Sequence, residues 1–512
     1  MRLLIPLQYR KGKYNALDAL GAGDHNGAML HSSRPHDRGL QLDRAQFKLP
    51  IGGRLVDGMR HIDVINPATE QPVAACPVAS VEQLEDAIRS ARQAFPAWSR
   101  TGLDARRALI RACADAIENH IEKLAPLLTN EQGKPLSQAR LEIQRGCAVL
   151  RHFAGAELPV RTLRDSRHER IYERRGPLGI VAAIVPWNFP VLLLMNKLGP
   201  ALLTGNCVIA KPAPTTPLTT LKIGEICAPI LPAGVLSVIS DANDLGPALA
   251  SHPDIAKIAF TGSTETGRKV YLSGAETIKR LTLELGGNDP ALILDDAHLD
   301  VVAPQIFRCA MANSGQVCMA IKRVYVPDAL HDELCRRLGE LATAAIVGDG
   351  MDPKTQFGPV QNAAQFRKLQ TLLADCHDRG TVTSGTAPAG GGYFVAPTIV
   401  RDVPDDARIV REEQFGPILP VLRYTNIDDA LARMNGTEFG LGASVWSANV
   451  SRAVEIAEQV CSGTVWVNRH MAVDPSVPFR GARQSGLGAE LGDAGIHEFT
   501  QAQVVNISLP GN

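Results

Sequence analysis

Between residues 180 and 272 the chain alternates short apolar runs with helix-like stretches, and this pattern restricts its fold more than any other feature. Apolar runs at 180–185, 207–210, 235–239 and 255–260 are each followed by a helical pattern, at 191–203, 217–230, 244–250 and 264–272. Runs of this length that lack a polar face read as strands buried on both sides, so the alternation predicts a parallel sheet covered by helices. Such sheets bind ligands at the carboxyl ends of their strands, where helix N-termini present unpaired N–H groups to anions. A second, less regular series of the same kind runs from about 285 to 467.

The flanking segments read differently. Val81, Leu84, Ile88, Ala91, Phe95 and Trp98 recur at helical spacing, and further helices are expected over 103–128 and 131–154. Residues 503–509 alternate polar and apolar, as a half-buried strand does, and 167–174 is a suitable mate; two strands remote from the main sheets suit a contact between subunits. Residues 1–45 show neither period and are expected to form a mobile extension, with Met29 as an alternative start.

At 512 residues the chain is long enough for two or three domains. Its 53 basic and 53 acidic side chains cancel, which argues against nucleic acid or an anionic membrane as partner. The longest apolar runs are too short to span a bilayer, and Pro6 breaks the apolar start that a secretory signal would need. Ten cysteines without a CxxC pair read as reduced thiols in a cytoplasmic protein, and no metal is expected.

Four places offer chemistry. Gly262 and Ser263 stand in a glycine-rich turn between a strand and a helix, suited either to a phosphate or simply to capping the helix. Asn188, in Pro186-Trp-Asn-Phe-Pro190, follows a strand and is either an amide donor to an oxyanion or the cap of the next helix. Glu284 closes an apolar strand beside two glycines, a costly place for a carboxylate that has no task. Cys318 follows the small, flexible Asn313-Ser-Gly-Gln-Val and is either a buried small hydrophobe or a nucleophile.

Order and spacing combine these signals. From about Phe47 to Val505 the sequence resembles the NAD(P)-dependent aldehyde dehydrogenase superfamily. The resemblance rests on Asn66-Pro-Ala-Thr69, Glu131-Gln-Gly-Lys-Pro135, the Asn188 motif, Gly205-Asn206 before Lys211-Pro212, and Phe260-Thr-Gly-Ser-Thr264. It continues through Glu284-Leu-Gly-Gly287, Gly315-Gln-Val-Cys318, Glu412-Glu-Gln-Phe-Gly-Pro417 and Ser485-Gly-Leu-Gly488 before Glu490-Leu-Gly492. It implies an α/β fold with a Rossmann-like cofactor domain (46–157 and 178–284), an α/β catalytic domain (285–475) and a small β oligomerisation arm (158–177 and 497–512). It further implies a homodimer or homotetramer.

The resemblance makes Cys318 the nucleophile, Glu284 the general base and Asn188 the oxyanion donor. The cofactor would be held by Trp187, Lys211, Gly262, Ser263, Gly267, Leu285, Glu413 and Phe415, and the substrate tunnel would include Leu193, Asn196, Val317 and Met319. The implied reaction oxidises a small-molecule aldehyde to its acid. An acceptor role for coenzyme A and a non-catalytic NAD-binding scaffold are the alternatives. Two departures stand out. Pro214 replaces a carboxylate frequent near the adenosine ribose, which weakens discrimination against NADP, although NAD is still favoured. Arg480 stands where glycine is frequent. The four tunnel positions contain no arginine, which points to a neutral aldehyde.

Overall fold

A computed structural model describes residues 47–509. The expectations for 1–45, including the start at Met29, lie outside the described residues. No helix among the described residues is long and apolar enough to cross a membrane.

The apolar runs are strands. In the first sheet the order is Gly486–Leu487, Arg280–Glu284, Ile255–Thr261, Ile180–Ile184, Cys207–Lys211 and Leu236–Val238. All neighbours are parallel except the edge strand Gly486–Leu487, which comes from a segment outside the expected cofactor domain. The chain starts at Ile180–Ile184, moves outward to one side, then returns to lay Ile255–Thr261 on the other. Between these two strands the order reverses, and the loops at their carboxyl ends, carrying Asn188 and Gly262, open at the switch point where such sheets bind ligands.

The second sheet has seven strands, in the order Thr381–Ser384, Thr398–Arg401, Ile418–Tyr424, Arg323–Pro327, Pro290–Ile293, Gly442–Trp446 and Thr464–Val467. Val324 and Val326 pack into one apolar cluster and Tyr325 into another, so alternate residues of this strand build cores on opposite faces. The outlying strands pair as the alternation suggests: Thr500–Ser508 lies antiparallel to Glu169–Pro177, with Val505 opposite Tyr172. Arg161–Asp165 adds a third strand.

Two helical expectations need correction. The stretch 103–128 is broken at His120 into Leu103–Asn119 and Ile121–Gln132, because His120 adopts φ −102° and ψ 8° and turns the chain. The next helix begins at Leu136 rather than at 131. Gly133, in the left-handed region at φ 97°, ends the preceding helix, and Pro135 cannot enter a helix interior. Glu131 therefore belongs to the earlier helix, where its buried carboxylate accepts the N–H groups of Leu218 and Thr219 at the start of helix Leu218–Cys227.

Candidate active site

Asn188 does not cap the helix that follows it. The first free N–H groups of helix Pro190–Leu203, those of Val191 and Leu192, are taken by Glu142 at 2.9 and 3.2 Å. Glu142 is in turn paired with Lys134, and both side chains are buried. The Lys134 ammonium donates to the Asn188 carbonyl at 2.9 Å, as does the Asn313 amide at 3.2 Å. With its backbone fixed in this way, Asn188 directs its own amide N–H to the carbonyl of Gln316, 3.0 Å away and two residues before Cys318.

The loop before Cys318 makes a sharp turn. Asn313, Ser314 and Gly315 all have positive φ, and a Cβ on Gly315 would collide with the backbone of Gly416. A buried ammonium supports the loop from behind: Lys322 donates to the carbonyls of Val317 at 2.8 Å and Cys318 at 2.5 Å. All ten cysteines are free thiols, and only Cys318 and Cys461 are not buried. Burial pushes the Cys318 thiol up to about 12; Lys322 opposes this, while the carboxylates of Glu413, Asp289 and Glu284 add to it.

Glu284 ends strand Arg280–Glu284 at 5% exposure, and neither of its carboxylate oxygens has a hydrogen-bond partner. Burial raises its pKa well above the ordinary range, and Glu490 adds to the rise; Lys197 and Arg480 counter it. Lys197 is tied to Glu490 at 2.5 Å and to the Thr261 hydroxyl at 2.6 Å. A Cβ on Gly287 would lie 2.7 Å from the Cys318 carbonyl, so the Glu284 strand and the Cys318 loop approach as closely as glycine allows. The Asn188 amide is thus bonded to the loop that carries Cys318, and the Glu284 carboxylate lies close enough to act on the Cys318 thiol.

The remaining expected residues fall into two groups. At the carboxyl ends of the first sheet, Ser263 caps helix Thr264–Ala275 by accepting the Thr266 N–H, and buried Gly267 packs on Leu285. Lys211 is bound to the buried carboxylate of Asp241 at 2.7 Å. Nearer the thiol, the rings of Trp187 and Phe415 meet edge to face at 5.3 Å, and Glu413 accepts the Gly287 N–H at 3.0 Å. A Cβ on Gly286 would strike the Glu413 carboxylate. These glycines, the helix N-terminus capped by Ser263 and the carboxylate fit a dinucleotide that enters close to backbone.

Of the tunnel positions, Val317 is buried, Leu193 and Met319 are half-buried, and Asn196 donates to Glu490 at 3.4 Å while its own amide oxygen has no partner. Sequence reasoning missed Lys134, Glu142, Lys197, Lys322 and Glu490. The signal available for Lys197 was its charge within an otherwise uncharged helix; for Lys134 and Glu490 it was their place inside quoted motifs, and for Lys322 its place four residues after Cys318.

Comparison with known proteins bears on this geometry. The family model described as "Aldehyde dehydrogenase family" matches residues 55–505. An aldehyde dehydrogenase from a Fusarium species is 38% identical over 470 residues, 91% of this chain and 99% of that protein. The NAD+ complex of aldehyde dehydrogenase from Bacillus cereus superposes with a TM-score of 0.88 at 35% identity, covering 91% of this chain and 97% of that one. An NADP-dependent enzyme from E. coli gives 0.88 at 34% identity, covering 91% and 99%.

Proposed function

The chain belongs to the aldehyde dehydrogenase family and is an NAD(P)-dependent aldehyde dehydrogenase, and from this premise we propose that its chemistry runs through a covalent intermediate on Cys318. The observation that carries the proposal is the convergence of the Cys318 loop, the Asn188 amide bonded to Gln316 within that loop, and the unpartnered carboxylate of Glu284.

Cys318 gives up its thiol proton to water, and its sulfur attacks the aldehyde carbon to form a thiohemiacetal. The Asn188 amide, held by Lys134 and Asn313 through its backbone carbonyl, is positioned to meet the developing alkoxide. The dinucleotide, when bound, supplies the acceptor for the hydride that leaves the aldehyde carbon. A thioester is left on Cys318. Glu284, whose desolvated carboxylate has no hydrogen-bond partner and is made more basic by burial, takes a proton from water, and the resulting hydroxide releases the acid. Lys211, Gly262, Ser263, Gly267 and Leu285 would hold the adenosine and pyrophosphate end, and Trp187, Glu413 and Phe415 the nicotinamide end.

NAD is the preferred cofactor on this reading. Pro214 leaves the ribose without the carboxylate frequent there, yet Asp241 brings one against Lys211 and cancels the charge that a 2′-phosphate would need. Residues 46–157 and 178–284 act as the cofactor domain, joined by the strand Gly486–Leu487, with 285–475 as the catalytic domain. The three-stranded arm supports a homodimer or homotetramer, and the free thiols suit the cytoplasm. The variant C318A is expected to produce no NADH from any aldehyde while keeping its fold by circular dichroism; steady turnover by it would overturn the assignment.

A further inference from the structure

Arg145 and Arg480 have no hydrogen-bond or ion-pair partner among the described residues. Arg145 is a half-buried residue of helix Leu136–Phe153, and its guanidinium makes no hydrogen bond or ion pair among the described residues. Burial alone acts on it, pulling its pKa down, and no carboxylate opposes that pull. Most other arginines of this chain that are not fully exposed, such as Arg107, Arg151 and Arg433, have carboxylate partners. A desolvated cation without a counter-charge is costly, so its retention calls for a ligand.

Its neighbours in the helix fix where it lies. Three residues earlier, Glu142 binds the N–H groups of Val191 and Leu192, and one residue later a Cβ on Gly146 would touch Met195 at 3.0 Å. Arg145 therefore lies against the first turns of helix Pro190–Leu203, the helix that carries Leu193 and Asn196. Every residue of that helix is buried except Leu192 and Leu193, which mark the side that opens.

Arg480 reaches the same region from another segment. Its neighbour Phe479 pairs through its backbone with Glu490, and Glu490 holds Asn196 and Lys197 of the same helix. The exposed guanidinium of Arg480 also has no partner among the described residues, and it lies close enough to Glu284 to favour the ionised carboxylate. Arg480 thus acts on Glu284, and Arg145 lies on a helix packed against the one that carries Leu193 and Asn196, although aldehyde oxidation itself requires no cation there.

We infer that Arg145 and Arg480 bind a carboxylate carried by the substrate away from its aldehyde group, so that the preferred substrates are semialdehydes of dicarboxylic acids. The inference rests on the Cys318 reading above and adds the substrate class to it. It replaces the expectation of a neutral aldehyde, which considered four tunnel positions and so missed arginines from two other segments. An arginine suits the task because its planar fork matches a carboxylate, and with Arg145 already partly desolvated the substrate would supply the missing counter-charge.

The test is kcat/KM for a series of ω-oxo carboxylates of increasing chain length, each measured beside its own methyl ester. At the best length the acid should exceed the ester about tenfold or more, as expected for a charge-assisted pair. In R145M the acid-to-ester ratio should fall toward unity, and in R480Q it should fall by a smaller factor because that side chain is more exposed. Esters matching or exceeding their acids at every length, or a ratio unmoved by R145M, would overturn the inference. The esters separate the two readings: if they are oxidised without any preference for the acid, the Cys318 chemistry stands and the carboxylate clamp falls.

Discussion

The Lys134–Glu142 pair links stability to catalysis, and K134M separates the two. Both side chains are 1% exposed, so removing the ammonium leaves a buried carboxylate uncompensated. A loss of this kind costs about 3–5 kcal/mol. The same substitution removes one of the two donors to the Asn188 carbonyl, with only the longer Asn313 contact at 3.2 Å left to hold Asn188, the proposed oxyanion donor, in place. Complete loss of such a donor costs about 10²–10³ in kcat, and a loosened one is expected to cost about tenfold. The double variant K134M/E142Q removes the stranded charge and should recover part of the stability, because a neutral amide oxygen can still accept from Val191 and Leu192. It should not recover the rate. Urea unfolding gives the first quantity, and NADH absorbance at saturating substrate the second. If K134M costs less than about 1 kcal/mol with kcat unchanged, or the double variant restores both quantities, the positioning role is wrong.

Three further outcomes follow from buried charge. Glu131, raised by burial to about 7, gains a proton on folding between its ordinary range and neutrality, so its contribution to stability is complete below about pH 4.5 and is lost as pH rises through 7. E131Q should therefore lose less unfolding free energy than the parent between about pH 5 and pH 8, by up to roughly 3 kcal/mol; identical slopes would contradict this. K322M should slow iodoacetamide alkylation of Cys318 by about tenfold at a fixed alkaline pH, and D289N should speed it, since the two charges act on the thiol in opposite directions. Changes of the same sign in both variants would refute the electrostatic account. D241A should raise kcat/KM for NADP relative to NAD by about tenfold or more, by freeing Lys211 for a 2′-phosphate; an unchanged ratio would remove Asp241 from cofactor selection.

The elements that position the site were legible because they obey local rules. The strands at 180–185 and 255–260 carry enough apolar residues to require burial on both faces, and the Asn188, Glu284 and Cys318 motifs stand at the ends of strands or in turns, where side chains reach a cleft. The break at His120 was not legible, because it depends on a single backbone conformation within an otherwise unbroken helical pattern. The supporting shell was illegible for a different reason. Glu142 meets Val191, Lys197 meets Glu490, and Asp241 meets Lys211 across long stretches of chain, and a charged residue in a helical pattern looks the same whether it faces solvent or a buried partner. Arg145 illustrates this limit: its charge in a helical pattern suggests a solvated face, and only the packing of two helices sets its segment against helix Pro190–Leu203.

The central claim is that the aldehyde carbon becomes bonded to Cys318 and is released by water that Glu284 activates. The most direct measurement is mass spectrometry of E284Q, quenched in acid during turnover with aldehyde and NAD. The account predicts an acyl group on the peptide containing Cys318, with one NADH formed per modified site, and no such adduct in C318A. An unmodified Cys318 during continued NADH production, or an acyl group carried by a different cysteine, would contradict it.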